Sequence, residues 1–339
     1  MLTTVVTFLA YAALSVGLLW SFGALAYFPD WPKWARWMGC VALLLAVGVV
    51  LWQLKSPLRL VGFAGVVAVV AAMWFGLNRP SNQRVWADDQ KFCAVAEIDS
   101  ASGKVVIENF RSSEFGSDGK ENVRWETRTF DLNSIRSVDY VVVPFSSWRG
   151  LAHTFLSFGF EDGDYLAISI EIRKEQGEDF SPMAGFYRNF ESYYVIGDER
   201  DLIGVRTNIR HNDVYVYPMR VTTNVARDLL LSMLGEANEL ATTPRYYNSI
   251  TNTCATGVLD HVNTLREKKI PRGLRTVLPG YSDAIAWEYD MIDFEGHTLE
   301  EARSRFQINS RSAFLEPDPG RTDVESSRQW SRQIRTVTE

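Results

Sequence analysis

The sequence is poor in the side chains that most often hold metals or form disulfide bridges. Three cysteines and four histidines occur in 339 residues, and no Cys-x-x-Cys or His-x-x-x-His spacing suggests a metal site. The chain also lacks a glycine-rich phosphate loop, which argues against nucleotide chemistry. Its net charge of −6 is spread without a basic block, so nucleic acid is not expected as a partner. No metal and no cofactor are therefore predicted.

Charged residues are sparse in the first 78 residues, where three long apolar runs lie. The runs cover 2–28, 38–54 and 60–77, close to the ~17–25 residues that a membrane-spanning helix needs. A buried helical hairpin is the alternative for the two shorter runs. The first run lacks the basic start of a signal peptide. We predict a membrane anchor with three transmembrane helices over residues 1–78.

The orientation of this anchor follows from the short turn between the second and third runs. The turn is compact and carries Lys55 and Arg59, which favours the cytoplasmic side. Three spans then place the large carboxy-terminal part on the opposite side. The sequence therefore predicts a multi-pass protein of the bacterial inner membrane, embedded by its first three helices, with its carboxy-terminal domain in the periplasm.

Residues 79–314 have the composition of a folded domain. Alternating strand patterns joined by hairpin turns fill its first part, and amphipathic helical patterns follow, which predicts an α+β fold and not a doubly wound sheet. Residues 315–339 are polar and contain Pro317 and Pro319, so we expect a disordered tail there.

Cys254 lies where a loop rich in Asn, Thr and Ser leads into a helix predicted over 253–268. Asn252 or Thr253 suits the N-cap, because its side-chain oxygen can accept a hydrogen bond from a first-turn N–H group. A thiol in that turn lies at the positive end of the helix dipole, which favours the thiolate. The same N–H groups can stabilise an oxyanion. Cys254 is therefore a candidate nucleophile that needs a base.

The clearest hairpin of the sequence supplies that base. Its loop has three residues and ends at Gly163 in the left-handed position, so His153 should lie opposite Glu171 on the neighbouring strand. His261 follows Cys254 on the same helix at about 10 Å, too far for a hydrogen bond. This register also places six apolar residues on one face of the hairpin: Leu156, Phe158, Phe160, Leu166, Ile168 and Ile170. The alternative is a buried thiol and a strand histidine without a catalytic role.

Several ordered motifs resemble one known family, the Lnb N-terminal periplasmic domain family. The resemblance extends over about residues 89–294. The motifs are His153-Thr-Phe-x-Ser-Phe-x-Phe, Ile168-Ser-Ile-Glu171-Ile-Arg173, Gly197-Asp-Glu-Arg-Asp-Leu-Ile203, Tyr246-Tyr-Asn248 and Asn252-Thr-Cys254.

The resemblance implies a permuted papain-like, NlpC-type domain in which an antiparallel sheet packs against helices. It also implies the activity of Lnb, the bacterial lipoprotein N-acyltransferase that gives the family its name. Such an enzyme moves a fatty acyl chain from a phospholipid, through a thioester, to an amine acceptor such as a lipoprotein amino terminus. Lnb has its membrane helices after the catalytic domain, whereas three runs precede the domain here, so the acceptor stays open.

Carried over residue by residue, the resemblance makes Cys254 the nucleophile, His153 the base and Glu171 the third member. Four further residues match its motifs and are expected to support the substrate or the oxyanion: Asn252, Asn248, Tyr247 and Arg173. A papain-like amidase or peptidase acting on cell-wall peptides is one alternative. A non-enzymatic envelope scaffold, with Cys254 and His153 apart, is the other. The sequence does not indicate an oligomeric state.

Overall fold

The computed structural model of the chain describes residues 2–29, 31–115, 121–294, 296–315 and 320–336. The chain forms two compact units. The first contains Met1–Ser81, Asp179–Glu191 and Tyr246–Ser249. The second contains Asn82–Glu178, Ser192–Arg245 and Ile250–Glu339. The predicted class, α+β with three apolar helices at the amino terminus, is confirmed.

The bounds of the secondary structure are as follows. The helices are α1 (Leu2–Ala26), α2 (Lys33–Gln53), α3 (Leu58–Leu77), α4 (Pro182–Phe186), α5 (Glu199–Leu202), α6 (Thr223–Thr242), α7 (Cys254–Leu265), α8 (Leu274–Val277), α9 (Ser282–Glu288), α10 (Leu299–Phe306) and α11 (Asp323–Arg335). The strands are β1 (Val95–Asp99), β2 (Lys104–Arg111), β3 (Glu114–Phe115), β4 (Glu121–Asn122), β5 (Trp125–Asp131), β6 (Ile135–Pro144), β7 (Ala152–Phe160), β8 (Tyr165–Arg173), β9 (Glu191–Gly197), β10 (Tyr215–Pro218) and β11 (Arg245–Tyr246).

The first unit is built on α1, α2 and α3, each long and apolar enough to cross a membrane. Helix α2 begins at Lys33, earlier than the predicted run, because Pro32 takes the N-cap position and suits a helix start. Tyr187, just after α4, stacks on Tyr27 at 5.5 Å between ring centroids and meets the edge of Trp74 at 6.3 Å. The returning segment Asp179–Glu191 is therefore part of this unit, packed at one end of the helices.

The second unit is built on one large sheet with the strand order β1-β2-β9-β8-β7-β6-β10. Strand β5 lies off this path and also pairs with β2. The predicted antiparallel sheet needs a correction, because β2 and β9 run parallel where Arg111 pairs with Gly197. Their pairing joins strands distant in sequence, which no local hairpin pattern encodes. The sheet is therefore mixed.

The predicted hairpin register of β7 and β8 is confirmed. Leu156 pairs with Ile168, and the Phe160 N–H donates to the Asp164 carbonyl at 2.9 Å. Gly163 takes the left-handed conformation with φ 88°. The same register places His153 opposite Glu171, on adjacent strands.

The two faces of this hairpin belong to different cores. Leu156, Phe158 and Ile168 lie in the core that also contains Met233 of α6 and Val258 of α7. The side chains between them on the strands point to the other face, as the two-residue period of a strand requires. Helix α7 therefore covers one face of the hairpin.

Helix α11 covers the other face, where the sequence predicted a disordered tail. Trp330 is fully buried and shares a core with Ile334 and Phe155. Thr322 and Glu325 form a capping box at the start of this helix. The prediction of disorder is wrong for 323–335, because it weighed polar composition and overlooked apolar residues spaced by four. Residues 316–319 and 337–339 of the predicted tail lie outside the described residues.

Candidate active site

Cys254 is the first residue of α7, and a capping box fixes it there. The Thr253 hydroxyl accepts from the Thr256 N–H at 3.2 Å, and the Thr256 hydroxyl accepts from the Thr253 N–H at 2.8 Å. Thr253 is thus the N-cap, one of the two residues predicted for it. The reciprocal bonds hold the loop-to-helix turn in one conformation. The thiol consequently lies at the positive end of α7.

Gly257, in the first turn of α7, allows this helix to pack closely on the hairpin. A Cβ at Gly257 would lie 2.4 Å from Cδ1 of Ile170 on β8, so a larger residue here would require the end of that side chain to shift. Cys254 is 5% exposed, and its thiol interacts with the His153 imidazole and with Thr154. The helix-start sulfur and the strand imidazole therefore interact, and their catalytic roles stay a prediction.

Each partner of this pair shifts the other's titration. Burial alone would raise the pKa of the Cys254 thiol, but the His153 charge and its hydrogen bond outweigh burial and leave the pKa lowered. Burial alone would lower the pKa of His153, but the Cys254 charge and hydrogen bond, aided by Glu171, leave that pKa raised. Opposite shifts of this kind favour a thiolate–imidazolium ion pair.

Glu171 meets His153 mainly through a serine between them. Nε2 of His153 lies 2.7 Å from Oγ of Ser169, which donates to Oε1 of Glu171 at 3.0 Å. The direct distance from Nε2 to Oε1 is longer, at 3.5 Å. Burial opposes the charge of Glu171, but Arg206 donates to Oε1 at 2.8 Å and, with His153, holds the pKa of this carboxyl well below its usual range.

Comparison with known proteins gives one family match. The sequence model of the Lnb N-terminal periplasmic domain family matches residues 121–280. The matched segment contains His153, Glu171 and Cys254. No curated protein and no solved structure matches the chain. A periplasmic family domain and three candidate membrane helices together fit an inner-membrane protein with a periplasmic domain.

Two residues of this site were not predicted from the sequence. Ser169 lies on the same strand as Glu171 and on the same face, so the predicted register contained a signal for it. Arg206 comes from the π-helical turn Val205–Ile209, which has no recognisable pattern. Arginine at a buried carboxylate is a common partner, but its position could not be predicted from local spacing.

The predicted supporting residues lie in different places. Asn252 is half-buried directly before the N-cap. Tyr247 and Asn248 belong to the first unit, where the Tyr247 N–H donates to the Phe190 carbonyl at 2.9 Å. A role of these three side chains toward the substrate stays a prediction.

Arg173 contacts a segment that lies before the matched residues. Its guanidinium donates to the carbonyls of Gln90 and Lys91 at 3.0 and 2.8 Å and lies over the Trp86 ring at 4.2 Å. These contacts fix the segment that leads into the first strands. They give Arg173 a structural role, and its predicted role toward the substrate or the oxyanion stays a prediction.

An apolar pocket runs along α7 from the residue after the thiol. Its cavity volume is about 40 Å³. Its wall from α7 comprises Ala255, Val258, Leu259 and Val262. From Ala255 to Val262 the helix rises by about 10 Å. The opposite wall includes Ile285, Ala286 and Met291, and the polar groups in the lining are the hydroxyls of Tyr140, Thr276 and Ser282.

Within the described parts of the chain, no group of three or more His, Cys, Asp or Glu side chains is arranged to hold a metal ion.

Proposed function

We propose that this protein is a membrane-anchored thiol acyltransferase that takes a fatty acyl chain from a phospholipid. The observation that carries the proposal is the apolar pocket that begins at Ala255, beside the nucleophile. A fatty acyl chain gains about 0.8 kcal/mol for each methylene that it buries in such a wall. A peptide would leave its backbone groups without hydrogen bonds there.

In the first half of the reaction, Cys254 attacks the ester carbonyl of the lipid. Because Nε2 of His153 is engaged by Ser169, Nδ1 is the nitrogen that takes the thiol proton. The new S–C bond forms a tetrahedral oxyanion that the first-turn N–H groups of α7 stabilise. The C–O bond to the glycerol then breaks, and imidazolium returns the proton to the departing alcohol. The products are the acyl-thioester on Cys254 and a lysophospholipid.

In the second half, an amine such as a lipoprotein amino terminus attacks the thioester. A C–N bond forms, the S–C bond breaks, and His153 takes the proton that the amine loses. The enzyme returns to its thiolate–imidazolium state. In this proposal α1, α2 and α3 cross the membrane and keep the domain on the periplasmic side, which raises the effective concentration of a poorly soluble donor.

Intact-protein mass spectrometry after incubation with phospholipid tests this function. We expect an acyl adduct on Cys254 that hydroxylamine removes and that an amine acceptor discharges. Cys254→Ala should lose the adduct, whereas Cys93→Ser, which removes a thiol elsewhere, should keep it. An unmodified Cys254 in a protein that cleaves cell-wall peptides would replace acyl transfer with the amidase alternative, and an inert protein would favour the scaffold.

A further inference from the structure

The Ser169 side chain is in direct contact with Nε2 of His153. Its hydroxyl lies 2.7 Å from Nε2 of His153 and 3.0 Å from Oε1 of Glu171. The residue is 0% exposed. Glu171 lies 3.5 Å from the same nitrogen, beyond good hydrogen-bond length. The serine therefore makes the shorter contact with this nitrogen, and the carboxylate that sequence patterns predict as its partner lies farther away.

The charge on Glu171 decides the direction of both hydrogen bonds. Arg206 keeps this carboxyl ionised, so it accepts only, and the single hydroxyl proton of Ser169 points toward it. The Ser169 oxygen is then left to accept from Nε2–H of His153. This arrangement selects the tautomer of the neutral imidazole that carries its proton on Nε2, with Nδ1 free to act as base.

We propose that Ser169 is the positioning residue that sets the tautomer and orientation of His153, and that Glu171 acts through it. The inference rests on the proposed role of His153 as the base for Cys254. It gives the site a four-membered chain, from Cys254 through His153 and Ser169 to Glu171. The hydroxyl relays the carboxylate charge without touching the substrate, so its loss should change thiol reactivity and leave substrate binding unaffected.

The test is the pH dependence of Cys254 alkylation by iodoacetamide in the full-length protein, followed on the Cys254 peptide by mass spectrometry. Removing the relay with Ser169→Ala should slow alkylation near neutral pH by about tenfold, the size of a charge-assisted hydrogen bond. The inflection of the profile should move upward, because burial of the thiol is then less well opposed. Ser169→Thr, which keeps the hydroxyl, should stay within about threefold of the natural protein.

Ser157 offers a matched control on the same face of the hairpin. It is also 0% exposed, and its hydroxyl also donates to a carboxylate, that of Glu199, at 2.5 Å. Ser157→Ala should lower stability but leave the alkylation profile unchanged. If Ser169→Ala fails to fold, the isosteric pair Ser169→Val and Ser169→Thr gives the same comparison.

Two results would overturn the inference: an alkylation profile in Ser169→Ala or Ser169→Val that matches the natural protein, or an equal loss in Ser157→Ala. Because iodoacetamide needs no lipid, the outcome is independent of acyl transfer. A missing lipid adduct with a Ser169-dependent profile would defeat the proposed function alone. A lipid adduct with an unchanged profile would defeat this inference alone.

Discussion

At the scale of single residues, the site depends on two buried groups that charge each other. A buried thiol and a buried imidazole would each be neutral in isolation, since desolvation disfavours both charges. In contact, the pKa of Cys254 is lowered and that of His153 is raised. The thiolate is thus present at pH values below those of an ordinary thiol, and it lasts as pH rises.

Replacing His153 should reveal how strongly the thiolate depends on it. In His153→Ala the burial of Cys254 remains while the opposing charge is gone, so the pKa of the thiol should rise above its ordinary value of about 8.5. Alkylation at pH 7 should fall by about tenfold or more and recover only in alkaline buffer. The exposed residue His297 supplies the control His297→Ala. Unchanged alkylation at pH 7 in His153→Ala would contradict the ion pair.

The sequence indicated part of this residue-scale arrangement. Loop length and alternation predicted that His153 opposes Glu171, because a hairpin register is a local property. They could not show that the hydroxyl of Ser169 bridges the pair, because the position of that hydroxyl depends on the side-chain rotamer of Ser169. Nor could they place Arg206, which reaches Glu171 from a turn 35 residues away in sequence.

At the scale of elements, α7 combines two roles along its length. Its first residue is the proposed nucleophile, and its next two turns form one wall of the apolar pocket. The helix was predicted from its spacing of apolar residues, about three residues longer than observed at its end. The pocket was not predictable, because its other wall comes from α9 and the segment after it, and no pattern in either specifies their approach.

Narrowing this pocket should separate acyl transfer from thiol reactivity. Val258→Phe introduces an aromatic ring one turn from Cys254, so acylation by long-chain phospholipid should fall by about tenfold. The overpacking should lower the free energy of unfolding by about 1–3 kcal/mol. Iodoacetamide is small and should alkylate Cys254 at the natural rate. Thr264→Phe makes the same addition on the exposed face of α7 and serves as control. Equal loss of both reactions would mean that the ring displaces Cys254, and unchanged acylation would remove the acyl chain from this pocket.

At the scale of the whole molecule, α11 completes the second core of the sheet domain. Trp330 and Ile334 share this core with Phe155, next to His153 along β7. Arg335 at the end of α11 donates to Asp139 at 2.6 Å and to Glu199 at 2.6 Å, both buried carboxylates of the sheet domain. The polar composition of this segment predicted disorder. The partners that bind its charged side chains lie far away in the sequence, so composition could not reveal them.

Truncating Trp330 should therefore destabilise the sheet domain. Trp330→Ala leaves a cavity in a fully buried position, and we expect a loss of about 3–5 kcal/mol in the free energy of unfolding. Urea unfolding of the detergent-solubilised protein, followed by far-ultraviolet circular dichroism, measures it. The exposed neighbour gives the control Gln329→Ala, which should stay within about 0.5 kcal/mol. A disordered tail would make the two variants indistinguishable.

The segment that contains Tyr187 limits where this protein can be truncated. Tyr187 stacks on Tyr27 and abuts Trp74, although more than a hundred positions separate it from either in the chain. The unit that contains the three candidate membrane helices is thus assembled from distant parts of the chain. A fragment that starts after the third helix would expose the aromatic surface around Tyr187, and we expect it to aggregate. The intact polypeptide in nanodiscs should stay dispersed.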